Sequence, residues 1–388
     1  MVNDRGAQMT ASRHTQTPDI PLSRQAFGGV FRGKRVLVTG LTGFKGSWLG
    51  LWLHEMGARV SGLSLKPDTS PSLFEQMKLG RITDSRIGDI RDQKTVQTVV
   101  ASLQPEIIFH LAAQSLVPRS FKHPLETFET NLMGTVYLLE AARQCRSVDI
   151  VVAITTDKCY HNSGDTLPFR ESDSLGGEDP YSASKACAEI AAACYRSSFF
   201  SQERPSLSTA RAGNVIGGGD WAQDRILPDC VRALAKHLPV PVRNPGFTRP
   251  WQHVLEPLSG YLTLAAHQLE DPKAFAEAWN FGPGPRQSYT VREVVGRVTR
   301  LWGGGRWVQA HADLKVKEMP SLRLDSSKAY RCLGWAPVYR LDMVLSETVS
   351  WYKASSERSF SAHDFCLEQI HSYMKMASKR GLEWAPRG

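Results

Sequence analysis

Residues 35–53 read Arg-Val-Leu-Val-Thr-Gly-Leu-Thr-Gly-Phe-Lys-Gly-Ser-Trp-Leu-Gly-Leu-Trp-Leu. The short apolar run Val36–Val38 is the pattern of a parallel strand buried on both faces. It breaks into a turn with glycines at 40, 43 and 46, and an apolar helix continues to about Met56. A strand, a glycine turn and a helix in this order offer backbone N–H groups and a positive helix end to a diphosphate. Gly40 permits the tight turn, Gly43 lets backbone approach the phosphates, and Gly46 lets the helix close on the strand. A dinucleotide site is the expectation.

The rest of the chain is consistent with that opening. Strands are predicted at Ala58–Leu65, Ile87–Ile90, Glu106–Ala112, Ile150–Thr155 and Ser206–Ala212, with helices at Lys94–Leu103, Leu125–Ala142 and Tyr181–Phe200. Asp179-Pro180 supplies an N-cap and a first-turn proline for the last of these. Alternation of this kind predicts an α/β fold, a Rossmann-type doubly wound parallel sheet with a smaller C-terminal substrate-binding lobe. The expected layout is a disordered leader over 1–30 and a cofactor domain over 31–215, completed by segments near 250–285. A substrate lobe is expected over 216–350 and a helical tail over 351–388. From Gly217 onward glycine and proline become denser, and a helix Glu256–Leu269 and a strand before Asn280-Phe281-Gly282 are predicted to return to the sheet.

Composition sets outer limits. Of 388 residues 41% are apolar, ample for a core, and 47 basic against 38 acidic side chains leave a net charge of +9. The basic residues are scattered, which suits anionic substrates better than a nucleic-acid groove. Seven cysteines contain no Cys-x-x-Cys pair and no zinc-spaced Cys/His cluster, so no metal is expected; Cys187, Cys194 and Cys230 sit among apolar residues and are expected to be buried. An odd count fits a reducing cytosol, and no run approaches the ~18 apolar residues of a membrane span. A cytoplasmic protein without membrane or nucleic-acid partners is expected.

The second constellation is Tyr181-Ser-Ala-Ser-Lys185. Four-residue spacing puts both side chains on one helical face, where an ammonium favours the phenolate and readies it as a general base. Taken alone, a packed tyrosine with a surface lysine is the commoner reading; the nucleotide turn upstream reverses the odds.

Thr39–Gly46, Gly88-Asp89-Ile90, His110-Leu111-Ala112-Ala113-Gln114, Asn131, Tyr181-x-x-x-Lys185 and Asn280-Phe281-Gly282 together resemble the extended short-chain dehydrogenase/reductase superfamily. Phe44–Trp48, Thr156–Tyr160, Asp179–Ala186, Arg211–Trp221 and Arg249–Pro257 look more narrowly like the CDP-glucose 4,6-dehydratases, and the likeness spans about residues 31–350. That resemblance implies a redox-neutral lyase with bound NAD acting on CDP-glucose in deoxysugar and lipopolysaccharide biosynthesis. Tyr181 would take the 4-hydroxyl proton while the C4 hydride passes to NAD. Water would leave across C5 and C6, and the hydride would return to C6.

The resemblance also implies roles. Thr156 would bond the 4-hydroxyl. Asp157 and Lys158 would be the acid and base of the elimination, provided burial raises the pKa of one and lowers that of the other. Their division of labour stays open, because the dTDP-glucose enzymes carry a glutamate where Lys158 stands. Gly40, Thr42, Gly43, Phe44, Lys45 and Gly46 would hold the cofactor diphosphate, Asp89 and Ile90 the adenine, and Leu111, Ala112, Ala113, Gln114 and Asn131 the phosphate–ribose region. Ser115, Asn214, Arg225 and Arg249 would contact substrate. Trp221 and Trp251 either wall the base or fill the core. The acidic ribose ligand expected some 20 residues past the glycines is missing, since the second strand ends in Ser64-Leu65-Lys66, so NADP is not excluded by residue type. A homodimer or dimer-based oligomer through Leu125–Ala142 and Tyr181–Phe200 is implied. A 4-epimerase of the same fold would share Tyr181, Lys185 and Thr156 but need no Asp157–Lys158 pair, and a silent dinucleotide sensor would have lost the Tyr–Lys pair.

Overall fold

The computed structural model describes residues 21–162, 164, 167–200, 204–284, 287–310 and 321–386. In chain order the main elements are β1 (Arg35–Thr39), α1 (Phe44–Glu55), β2 (Arg59–Ser64), β3 (Asp84–Ile87), α2 (Gln93–Leu103) and β4 (Ile107–His110). A helical run α3 over 124–144 follows, then β5 (Ile150–Ile154), α4 (Pro180–Ser198), β6 (Ser206–Ala212) and α5 (Ile226–Ala235). The chain closes with α6 (Leu255–Glu270), β7 (Ala278–Phe281), α7 (Val291–Trp302), α8 (Leu341–Ala354) and α9 (Ala362–Lys379).

The seven strands form one parallel sheet in the order β7-β6-β5-β4-β1-β2-β3. Successive residues of β1 feed opposite faces. Val36 and Val38 join the cluster that contains Trp48 of α1 and Leu255 of α6, whereas Leu37 joins the one with Val96 of α2 and Leu138 of α3. The strand order reverses between β1 and β4, whose pairing ends at Thr39↔His110. A crevice at the carboxyl ends of the strands opens at such a reversal.

Four expectations need correction. The third strand ends at Ile87, so Gly88-Asp89-Ile90 is the loop after it. The long helix is interrupted by a π turn over Glu129–Met133, which the apolar spacing conceals. Within the expected leader, Leu22–Gly29 is an ordered turn-rich segment; Phe27 is 3% exposed and stacks on Trp384 at 5.0 Å, while residues 1–20 lie outside the described part. Cys194 is exposed and Cys187 half-buried, because both stand off the face by which α4 packs on the sheet; Cys230 is buried. The C-terminal helices are built into the core, with Trp351 of α8 and Tyr373 of α9 fully covered. No helix among the described residues is long and apolar enough to cross a membrane.

Candidate active site

The glycine turn connects β1 to α1. Gly40 has φ +75°, and a Cβ there would stand 2.8 Å from the backbone nitrogen of Ala112, so strand β4 ends against it. A Cβ on Gly46 would stand 2.1 Å from the Gly40 carbonyl oxygen, which brings the first turn of α1 onto the loop. Gly43 is the exposed N-cap, and no side chain caps the helix it opens. The first N–H groups of α1 are therefore left for an anion. Thr42 anchors the outer edge, its hydroxyl donating to the Leu65 carbonyl at 2.9 Å. An uncapped helix start behind an unobstructed glycine fits a dinucleotide diphosphate.

Around this turn the predicted cofactor residues divide. Leu111, Ala112 and Ala113 are half-buried at the end of β4. Ile90 is 6% exposed and its side chain faces the core, against Gly134. Asp89 is held by the Arg91 guanidinium, with Nε 3.0 Å and Nη2 2.6 Å from Oδ2, which keeps its carboxyl below the usual range. Asn131 lies in the π turn and is fully buried. Its amide donates to the Gln114 carbonyl at 3.0 Å and to the Ser184 hydroxyl at 2.9 Å, and its Oδ1 accepts from the Gln114 N–H at 2.8 Å. The π turn brings this side chain to the strand end; it ties β4 to α4.

A buried chain of hydroxyls supports that tie. The Thr135 hydroxyl donates to the Asn131 carbonyl at 2.7 Å, so it accepts from His110 Nε2 at 3.0 Å. His110 Nδ1 then accepts from Thr39 at 2.7 Å, and Thr39 accepts from the Ala112 N–H at 3.1 Å. Burial pushes the His110 pKa down to about 3, which keeps this tautomer neutral.

At the carboxyl end of β5 the chain turns through Thr156-Asp157-Lys158. Thr156, Asp157, Lys158 and Tyr181 line one cavity, and so do Phe44 and Lys45 of the glycine turn. All four expected substrate residues, Ser115, Asn214, Arg225 and Arg249, reach the same cavity. Trp251 also lines it, whereas Trp221 packs on Trp351 and Tyr352 and bonds Gln76, as a core residue. Lys185 lies beneath, 4% exposed, donating to the Ile154 carbonyl at 3.0 Å.

Electrostatics sharpen the roles. Asp157 is 2% exposed; its Oδ1 accepts from the Thr156 hydroxyl at 3.1 Å, and its Oδ2 has no hydrogen-bond partner among the described residues. Burial raises its pKa against the pull of Lys158, Thr156, Arg249 and Lys45. Such a carboxyl is suited to give up a proton at neutral pH. The charges and contacts that bear most on Tyr181 come from groups other than Lys185. Burial raises the phenol to about 12, opposed by the Thr156 hydroxyl beside it and the charge of Arg225, while the Lys185 ammonium donates to the Ile154 carbonyl. Burial also lowers Lys185 to about 8. Lys45, its ammonium 5.9 Å from the Tyr261 ring centre, is lowered to about 7, first by burial and then by Lys185 and Arg225.

Two residues with a visible function escaped the sequence reading. Gly213 makes room for the Asp157 carboxyl, and Asp220 bonds Arg225. Both lie inside the quoted Arg211–Trp221 motif, but only proximity in space reveals their partners.

Residues 37–348 match the family model described as GDP-mannose 4,6 dehydratase. The chain belongs to this dehydratase family. Among its relatives, a CDP-glucose 4,6-dehydratase of Salmonella typhimurium is 48% identical over 84% of this chain and 92% of its own. A dTDP-glucose 4,6-dehydratase of Streptomyces venezuelae solved with NAD bound has a TM-score of 0.72 at 26% identity, covering 82% of this chain and 96% of that one. A UDP-glucose 4-epimerase of Thermotoga maritima shares the fold, with a TM-score of 0.72 at 22% identity over 83% and 99% of the two chains. The parallel sheet and its flanking helices are those of the short-chain dehydrogenase/reductase epimerases and dehydratases.

Proposed function

We propose that this member of the dehydratase family converts CDP-glucose to CDP-4-keto-6-deoxyglucose, with NAD as resident cofactor. The observation that carries the reading is Asp157, a buried carboxyl beside Lys158 in the cavity that Tyr181 lines. A 4-epimerase has no use for an elimination pair at that place. The 48% identity to a CDP-glucose enzyme, against 26% for the dTDP-glucose enzyme, supports cytosine as the base.

In this reading the first turn of α1 holds the cofactor diphosphate, and Ser64 with Thr42 borders its ribose. NAD, when bound, supplies the acceptor and later the donor of the sugar's hydride. Tyr181 accepts the proton of the 4-hydroxyl, which Thr156 orients. Arg225, whose charge opposes the effect of burial on Tyr181, stabilises the phenolate this requires. Lys158 removes the proton from C5, and the electron pair of that bond forms the C5–C6 double bond as the C6–O bond breaks. Asp157 gives its proton to the departing hydroxyl, which leaves as water; the hydride then returns to C6 while Lys158 gives its proton back to C5, which completes the 4-keto-6-deoxy product. Arg249, Asn214 and Ser115 bind the nucleotide diphosphate and sugar, the guanidinium by paired charge-assisted bonds.

The remaining parts of the reading are a substrate lobe over 216–350, a cytoplasmic location and a dimer through α3 and α4. The dimer is supported by apolar side chains left open on both helices: Leu125 is 72% exposed, Met133 37% and Ile190 56%. Sedimentation of the wild type and of Ile190→Glu tests it, the variant being expected as monomer. For the activity, the protein is incubated with CDP-, dTDP-, UDP- and GDP-sugars and the products are weighed by mass spectrometry. Loss of one water from CDP-glucose with no net NADH is the expected result. A product of unchanged mass and inverted C4 would replace dehydration with epimerisation.

A further inference from the structure

Three consecutive glycines lead the chain from β6 toward the cavity, and each is pressed by a different element. A Cβ on Gly217 would stand 2.9 Å from Val254, on Gly218 2.0 Å from the Trp351 ring, and on Gly219 2.5 Å from Leu73. The Trp48 indole N–H donates to the Gly218 carbonyl at 3.0 Å, and the Tyr352 hydroxyl donates to the Asp220 carbonyl at 2.5 Å. Asp220 is thereby fixed from α1 and α8, 4% exposed. Its Oδ2 accepts from Arg225 Nη1 at 2.8 Å, and its Oδ1 accepts from the Ala222 N–H at 3.2 Å. The other end of the Arg225 fork, Nη2, donates to the Ser115 hydroxyl at 2.9 Å. Ser115 follows β4 in the cofactor half of the molecule, so the guanidinium spans the cavity from one half to the other.

We propose that Asp220 is a positioning residue, whose carboxylate, with the Ser115 hydroxyl, holds the Arg225 guanidinium in the cavity that the Tyr181 phenol lines. The inference rests on the dehydratase reading for its catalytic consequence. Its physical content does not. An arginine side chain has several rotatable bonds, and a fork anchored at both ends is kept where its charge favours phenolate. Other charges act on the phenol as well. Asp157 and Asp179 disfavour its ionisation, and Arg225 opposes them together with the Thr156 hydroxyl beside the phenol. Arg225 in turn is faced by Asp220, Asp68 and Tyr181.

Asp220→Asn is the informative change, because the amide oxygen still accepts from Ala222 while the second anionic oxygen is lost. Two measurements test it. Nitration of Tyr181 by tetranitromethane, mapped by peptide mass, follows the phenolate fraction and needs no catalysis. The variant should nitrate at Tyr181 about tenfold more slowly, one pKa unit, with the other tyrosines unchanged. In turnover of CDP-glucose its kcat should fall about tenfold with KM and melting temperature near wild type, and Asp220→Glu should recover part of the loss. The change should have no further effect in an Arg225→Ala background. Unchanged Tyr181 nitration, or additive losses with Arg225→Ala, overturns the inference. Absence of any product from the wild type overturns the dehydratase reading instead, and leaves the nitration result to decide this one.

Discussion

A methyl group on Gly213 would stand 2.1 Å from Oδ2 of Asp157 and 2.7 Å from Cγ of Pro250, so the carboxyl occupies space that any larger residue at 213 would claim. Gly213→Ala is therefore expected to displace Asp157 and lower kcat. Asp157→Asn sets the scale, at about 10²- to 10⁴-fold if the carboxyl is the general acid. The double variant should be no slower than Asp157→Asn alone, since both act on one group. Losses that multiply would separate the glycine from the acid.

Gly46→Ala should uncouple the cofactor turn. The added carbon meets the Gly40 carbonyl oxygen at 2.1 Å, a backbone atom that cannot rotate away. NAD binding, followed by quenching of tryptophan fluorescence, should weaken at least about tenfold. Gly296→Ala in α7 is the control, with nothing within 4 Å of the added carbon. It should leave binding alone and stabilise the protein by up to about 1 kcal/mol.

Arg211 and Glu189 form a buried ion pair at 2.8 Å, with side chains 4% and 3% exposed. The hydroxyls of Thr155 and Thr209 also donate to the carboxylate, and Arg211 Nη1 donates to Tyr160 at 2.7 Å. Against burial, Arg211 first and then these hydroxyls hold the Glu189 pKa below its ordinary value. Removing the cation alone strands the anion, so Arg211→Met should cost about 3–5 kcal/mol in chemical denaturation. The wild-type contribution of this carboxylate is present above its unfolded pKa and is lost as pH falls through the folded value.

Glu256 behaves in the opposite sense. It accepts from the backbone N–H groups of Val338 and Tyr339 and from the Tyr373 hydroxyl, yet burial raises its pKa to about 7. A carboxyl whose folded pKa exceeds its unfolded one stabilises fully below the unfolded value, and that stability is lost as pH rises through the folded one. Thermal melts between pH 4.5 and 7 should show a decline worth roughly 3 kcal/mol. Glu256→Gln, which keeps an acceptor for the two N–H groups, should flatten it. An unchanged slope in that variant would assign the decline to other groups.

The legible parts of this protein are those whose cause is local. The strand–turn–helix at 35–55 shows itself because burial on both faces demands an unbroken apolar strand and because only glycine fits positions 40 and 46 of the turn. The Asp179-Pro180 cap marked the start of α4 to within a residue, since it satisfies that helix's own N–H groups. The π turn at Glu129–Met133 was hidden, because one extra residue in a turn leaves the apolar spacing nearly unchanged and its reason, Asn131 reaching Gln114, lies across the chain. The partner of Lys185 is hidden for the same reason: four-residue spacing puts Lys185 on the helical face of Tyr181 but does not say that its ammonium donates to the Ile154 carbonyl.

The sequence by itself determined the parallel sheet and the glycine turn, because each is written in residue type at short spacing, whereas Thr156, Asp157, Lys158 and Tyr181 were grouped only by the resemblance of their motifs to a family, and the fold brings them to one cavity. Tertiary structure alone decided what surrounds the titratable groups of that cavity. Desolvation of Asp157 and Tyr181, the approach of Gly213 and the strap from Asp220 through Arg225 to Ser115 join residues up to 110 positions apart. A pKa is set by whatever surrounds a group in three dimensions, and no local pattern records that.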